Sequence, residues 1–187
     1  MVKKKDIRKS VLNKRDQIEK KEWEAYSSVI FNKVVSHSFF LEAENILCFL
    51  NYQSEVETKN IIKKAWEEGK RVYVPRIDED IMNFYQITSF QDLIKGYKGI
   101  LEPVGDHIFD MKDGLVIMPG VAFDKCRNRI GYGKGFYDKF LCLHPSLKTI
   151  AIAFELQIVD EIPYDSLDII PEILITEENI YDSKFTE

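Results

Sequence analysis

Five short apolar runs constrain the fold of this chain most. They are Ile46 to Leu50, Arg71 to Pro75, Leu115 to Met118, Thr149 to Phe154 and Ile173 to Ile175. Each is too short for a helix of ordinary length and is bounded by polar, glycine or proline residues, so each reads as a buried strand. Between them lie segments with helical spacing of apolar residues. Residues 3–19 carry Ile7, Val11, Leu12 and Ile18 on a charged background, an amphipathic helix. Residues 22–40 continue in the same way with Trp23, Tyr26, Val29, Ile30, Val34 and Phe39. Residues 57–68 form another helix, closed by Gly69 in the position after the C-cap. Asn83 to Ile87 adds a strand and Ser89 to Leu93 a short helical turn. Strands that are apolar throughout must be covered on both faces. The expected fold is therefore α/β: a single three-layer domain over 1–187, with an open, Rossmann-like, mostly parallel sheet between helices.

One stretch departs from this periodic background. Arg129-Ile130-Gly131-Tyr132-Gly133-Lys134-Gly135-Phe136-Tyr137-Asp138 alternates three glycines, with cations at Arg129 and Lys134 and an acid at its end. Phe136, Tyr137, Phe140 and Leu141 then follow with helical spacing to about Leu143. A glycine-rich loop opening a helix presents free backbone N–H groups and the positive end of a dipole, so it favours an anion. The spacing matches neither Gly-x-x-x-x-Gly-Lys-Ser/Thr nor Gly-x-Gly-x-x-Gly. The competing reading is a plain surface turn. In open α/β sheets ligands collect beyond the carboxyl ends of strands. Asn51 to Thr58, Pro75-Arg76 and Pro119 to Gly135 all follow strand ends, and are expected to converge there.

Composition narrows the function classes. A net charge of −5 opposes general nucleic-acid binding, although Lys3, Lys4, Lys5, Arg8, Lys9, Lys14 and Arg15 cluster at the start. That cluster is either a solvated helix face or part of a polyanion site. Cys48, Cys126 and Cys142 make an odd count with no Cys-x-x-Cys pair, which suits a reducing compartment. His37, His107 and His144 fit no zinc spacing. With no secretory signal and no apolar run near the ~20 residues of a membrane span, the expectation is a cytoplasmic protein, more readily monomeric than oligomeric.

The glycine-rich stretch, preceded by Met118-Pro119-Gly120-Val121-Ala122-Phe123-Asp124, resembles the signature of the 5-formyltetrahydrofolate cyclo-ligase family. The likeness extends to Lys4 to Arg8, with its Lys-x-x-Ile-Arg pattern, and to the segment from Phe49-Leu50 to Glu55-Val56-Glu57-Thr58. It also includes Val74-Pro75-Arg76 and Gly99-Ile100-Leu101-Glu102-Pro103. The resemblance implies conversion of 5-formyltetrahydrofolate to 5,10-methenyltetrahydrofolate, driven by ATP and Mg²⁺. It implies that Lys4, Lys5, Arg8 and residues Arg129 to Tyr137 hold ATP, with Lys134 and Arg129 neutralising charge in the transfer. Leu50 and Glu55 would touch folate, with Tyr132 to Phe136 lying between the two substrates. Asp138 would be a Mg²⁺ ligand and Asp168 its more distant partner.

Plainer roles stand beside these. Asp138 suits a helix N-terminus without any metal, Glu55 suits an exposed loop, Leu50 the core, and Arg8 a solvated face. The chain departs from the family pattern in two places: Arg127 stands where a glycine is usual, and Pro171-Glu172 where Val-Asp is common. If position 127 requires a positive φ, arginine is strained there unless Asn128 takes the turn. Two other functions remain open on the residues alone: an ATP-independent sugar-phosphate isomerase on a related scaffold, and a nucleotide- or nucleic-acid-binding module.

Overall fold

The computed structural model describes residues 3–96, 99–163 and 165–183. Its centre is a sheet of seven strands in the order β11-β10-β9-β6-β1-β2-β3. These are β1 Asn45–Cys48, β2 Arg71–Asp78, β3 Ile81–Ile87, β6 Leu115–Met118, β9 Lys148–Ile152, β10 Ile173–Ile175 and β11 Ile180–Tyr181. The five from β10 to β2 are parallel, and the edge strands β3 and β11 pair antiparallel. The expected mostly parallel open sheet is therefore present.

Residues along each strand alternate between two cores, because successive side chains point to opposite faces. Ile46, Cys48, Val72, Val74, Leu115, Ile117, Ile150 and Ile152 face one core. There α2 (Lys20–Val35), α3 (Ser38–Glu42) and α4 (Lys59–Glu67) cover them. Leu47, Tyr73, Val116, Met118 and Ala151 face the other core, which α5 (Phe136–Leu143) covers with Phe140 and Leu141. This two-sided burial accounts for strands that are apolar at every position.

The helical reading of residues 3–19 shortens to α1, Lys4–Arg15. The single helix expected over 22–40 divides into α2 and α3, with His37 in an extended conformation capping α3 through its ring. Gly69 does close α4, at φ 72. Strand β2 runs past Pro75 to Asp78, because the β2–β3 hairpin extends beyond the sheet proper and turns at Glu79, φ 58.

Short elements missed by their length are β4 (Leu93–Lys95) with β5 (Leu101–Pro103), and β7 (Ala122–Phe123) with β8 (Arg129–Ile130). The second pair is a hairpin standing on the carboxyl rim of β6. Helix α1 packs on it through Val11, beside Val121, Ala122, Ile130 and Ile162. The basic helix is thereby held against the glycine-rich loop. Among the described residues, no helix is long and apolar enough to cross a membrane.

Candidate functional site

The loop after β8 is built on two left-handed glycines. Gly133 has φ 101 and Gly135 φ 64, conformations a side chain resists. Gly135 is the N-cap of α5, and its carbonyl accepts from Lys139 N at 3.0 Å. The preceding backbone turns sharply, and the N–H groups of the first turn of α5 are left without intrahelical partners.

The β7–β8 turn that launches this loop is organised by Asp124, which is 3% exposed. Its carboxylate accepts from Asn128 N at 2.9 Å, Asn128 Nδ2 at 2.8 Å and Ile162 N at 3.1 Å. Arg127 takes the left-handed position at φ 68, so Asn128 does not relieve it. The Arg127 side chain reaches the C-terminal segment, donating from Nε to Pro171 O at 3.0 Å.

A cavity of about 460 Å³ opens between α1, the loop and the C-terminal segment. Lys4 and Arg8 line it from α1, Ile130 to Asp138 from the loop and α5, and Asp168 from the far side. Arg129 and Pro119 form its base, and Ile77 and Ile100 an apolar wall. Its cations differ in commitment. Arg8 Nε donates to Gly131 O at 2.9 Å, and Lys4 pairs with Asp168 at 2.7 Å. Arg129 Nη2 pairs with Asp138 Oδ1 at 2.9 Å, while its buried Nε has no hydrogen-bond partner. Lys134 is exposed on the cavity wall and makes no side-chain hydrogen bond or ion pair to a described residue. Below the cavity the Tyr137 hydroxyl is buried and unpartnered, and burial holds its pKa well above the ordinary value.

Asp138 and Asp168 both face this cavity. Asp138 Oδ1 also accepts from Ile169 N at 3.0 Å, which ties α5 to the C-terminal segment. Asp168 Oδ2 accepts from Asp165 N at 3.1 Å as well as from Lys4. Among the described residues, no three His, Cys, Asp or Glu side chains converge as a metal cage. Two carboxylates on the edge of an anion cavity fit an ion that keeps most of its ligands as water and phosphate oxygens, as Mg²⁺ does.

The residues expected at the site thus fall into groups. Lys4, Arg8, Arg129 to Asp138 and Asp168 share one cavity. Lys5 is exposed and outside it. Leu50 is half-buried at the edge of the α2–α4 core. Glu55 is 6% exposed, so it is no surface loop acid. It accepts Tyr132 OH at 2.7 Å and Tyr52 N at 2.9 Å, and burial raises its pKa against the pull of those bonds and of Arg15. The loops after β1 and β6 do meet, at the Tyr132–Glu55 contact. Arg76 does not join them: it binds Asp78 and the carbonyls of Pro103 and Gly105.

Arg15, Ile77 and Ile100 are at or beside the site and are not singled out by the motif. For Arg15 a signal existed. Lys4, Arg8, Val11 and Arg15 are spaced i, i+4, i+7, i+11, one stripe of a helix with 3.6 residues per turn. Lys5 lies about a quarter turn away from that stripe.

The family model described as the 5-formyltetrahydrofolate cyclo-ligase family matches residues 1–177. A 5-formyltetrahydrofolate cyclo-ligase from Mus musculus is 34% identical over 164 residues, covering 79% of this chain and 81% of that protein. A probable 5-formyltetrahydrofolate cyclo-ligase from Caenorhabditis elegans is 29% identical, covering 95% of this chain and 94% of its own. The NMR structure of Aquifex aeolicus 5,10-methenyltetrahydrofolate synthetase superposes with a TM-score of 0.85 at 28% identity, covering 96% of this chain and 92% of that one.

Proposed function

The chain belongs to the 5-formyltetrahydrofolate cyclo-ligase family and converts 5-formyltetrahydrofolate to 5,10-methenyltetrahydrofolate, and we propose that it does so with ATP and Mg²⁺ at the cavity beside the glycine-rich loop. The observation that carries the reading is the convergence of Lys4, Arg8, Lys134, the loop and two carboxylates on one cavity. Its cations and backbone donors suit a polyphosphate, and Ile77 and Ile100 give an apolar wall for a ring.

The chemistry explains why this set of groups suffices. The oxygen of an N-formyl group is a poor leaving group. It attacks the γ-phosphorus of ATP, the bond to the bridging oxygen breaks, and ADP leaves. N10 of the folate then adds to the formyl carbon and gives up its proton. The carbon–oxygen bond breaks, phosphate departs with the electron pair, and the cationic ring is complete. Such a transfer needs positioning and neutralisation more than a protein nucleophile.

Lys134, exposed on the cavity wall and without a side-chain partner among the described residues, would meet charge on the moving phosphoryl. The loop N–H groups and Arg8 orient the phosphates, and Arg129 sets Asp138. Asp138 and Asp168 would hold Mg²⁺, which supplies charge neutralisation on phosphate oxygens. Glu55 would accept donors from the pterin amino edge, beside Leu50.

Replacing Lys134 by Ala tests the assignment. Because the side chain has no hydrogen-bond or ion-pair partner among the described residues, thermal stability should stay within about 0.5 kcal/mol. Turnover, followed by methenyl absorbance, should fall about 10²–10³-fold, the usual effect of removing one charge-stabilising donor. Full activity in the variant would remove Lys134 from the mechanism.

A further inference from the structure

The buried guanidinium of Arg15 joins segments that the proposed function assigns to different substrates. Arg15 is 2% exposed at the end of α1. Its Nε donates to Ser54 Oγ at 3.0 Å, in the segment after β1, and its Nη2 to Tyr132 OH at 3.1 Å, in the glycine-rich loop. Tyr132 OH in turn donates to Glu55 Oε1. Tyr132 is 52% exposed as a residue, while its hydroxyl is turned inward to Arg15 and Glu55. The residues around Glu55, among them Arg15, Phe49, Pro119 and Gln157, enclose no water-sized space. A donor from a folate ring would meet Glu55 Oε1 in place of the Tyr132 hydroxyl that now holds it.

We infer that Tyr132 is a latch on the folate site, holding the place on Glu55 that a substrate N–H donor takes, and that Arg15 is the positioning residue that keeps the latch set. The inference rests on the reading of Glu55 as the folate contact. Glycines at 131 and 133 flank Tyr132, so the backbone is free to follow the displaced hydroxyl. Arg8 grips that backbone through Gly131 O, and its Nη2 would sit 3.6 Å from a Cβ on Gly133. Folate capture is therefore linked to the conformation of the phosphate loop without any direct contact between the two substrates. Lys4, Arg8 and Arg15 lie on one stripe of α1, so the helix acts as the common strut.

The test is equilibrium binding of 5-formyltetrahydrofolate, without nucleotide, to the wild type, Tyr132→Phe, Glu55→Gln and Arg15→Lys. The wild type must break the Tyr132–Glu55 bond to bind, and Tyr132→Phe has none to break. That variant is expected to bind roughly three- to tenfold more tightly, the scale of one net hydrogen bond. Glu55→Gln is expected to bind more weakly. Arg15→Lys keeps the charge but not the fork that spans Ser54 and Tyr132. It should shift affinity in the same direction as Tyr132→Phe and add little to it in the double variant, a pattern that a purely structural role does not produce. If Glu55→Gln weakens binding and Tyr132→Phe leaves it unchanged or weaker, the latch is refuted and the site assignment stands. If Glu55→Gln binds as the wild type does, the assignment of Glu55 fails, and the latch fails with it. Tyr132→Phe decides the point even where Arg15→Lys does not fold.

Discussion

Arg127 offers a way to separate backbone strain from side-chain function at the edge of the site. It sits at φ 68, where a glycine would be at ease, and its side chain spans to Pro171 O. Arg127→Ala removes the 3.0 Å hydrogen bond and retains the strained backbone. Arg127→Gly removes the same bond and releases the strain. A left-handed residue with a Cβ costs roughly 1–2 kcal/mol, and the extra freedom of glycine in the unfolded chain returns roughly 0.5–1 kcal/mol of that. The glycine variant should be the more stable of the two by about 0.5–1 kcal/mol. For a domain of this size that is about 1–4 °C in Tm. Thermal unfolding of the two variants side by side measures it. Both lose the tether to the segment carrying Asp168, so both should need the same increased Mg²⁺ concentration for half-maximal activity. An alanine variant as stable as the glycine variant would refute the strain argument. Different Mg²⁺ requirements in the two would refute the tether.

Other consequences can be measured directly. Gly133→Ala forces a Cβ at φ 101 beside Arg8 and should weaken ATP binding, read by titration, at least tenfold. Gly69→Ala, at φ 72 with open space around it, should cost about 1 kcal/mol of stability and leave ATP binding intact. The sign of the pH effect at Glu55 is also fixed. Its folded pKa lies above the ordinary 4.5, chiefly through burial. The ionisation penalty is absent below about 4.5, grows as pH rises from there, and is complete once pH has passed the raised folded value. Relative to the wild type, Glu55→Gln should therefore be better placed in stability at pH 7 than at pH 4. Melts at both values would show no such drift if the carboxylate were solvated.

The layers of the fold were legible because burial on both faces leaves a plain record. Ile46, Leu47 and Cys48 are all apolar because alternate residues feed opposite cores. Phe136 to Leu143 was legible as a helix because glycine before it and apolar spacing within it agree. The break between α2 and α3 was not, since His37 caps with its ring and carries no glycine or proline signal. The two-residue strands β7 and β8 are too short to show a period, and their pairing depends on the Asp124 turn.

At the site, the glycine loop could be read from local pattern alone. The place of Glu55 beneath Tyr132 could not, because a contact across 77 positions leaves no local trace. Arg15 was hidden for a different reason. Its charge suggested solvent, and only the stripe it shares with Lys4, Arg8 and Val11 marks it as inward-facing.

The measurement closest to the central claim is the stoichiometry of the reaction itself. Purified protein with 5-formyltetrahydrofolate, Mg²⁺ and ATP should form the methenyl product, with one phosphate released for each molecule closed. Omitting ATP should abolish both signals, and Lys134→Ala should depress them together. Methenyl formation at the same rate without ATP, or phosphate release uncoupled from ring closure, would contradict phosphoryl activation at the glycine-rich loop.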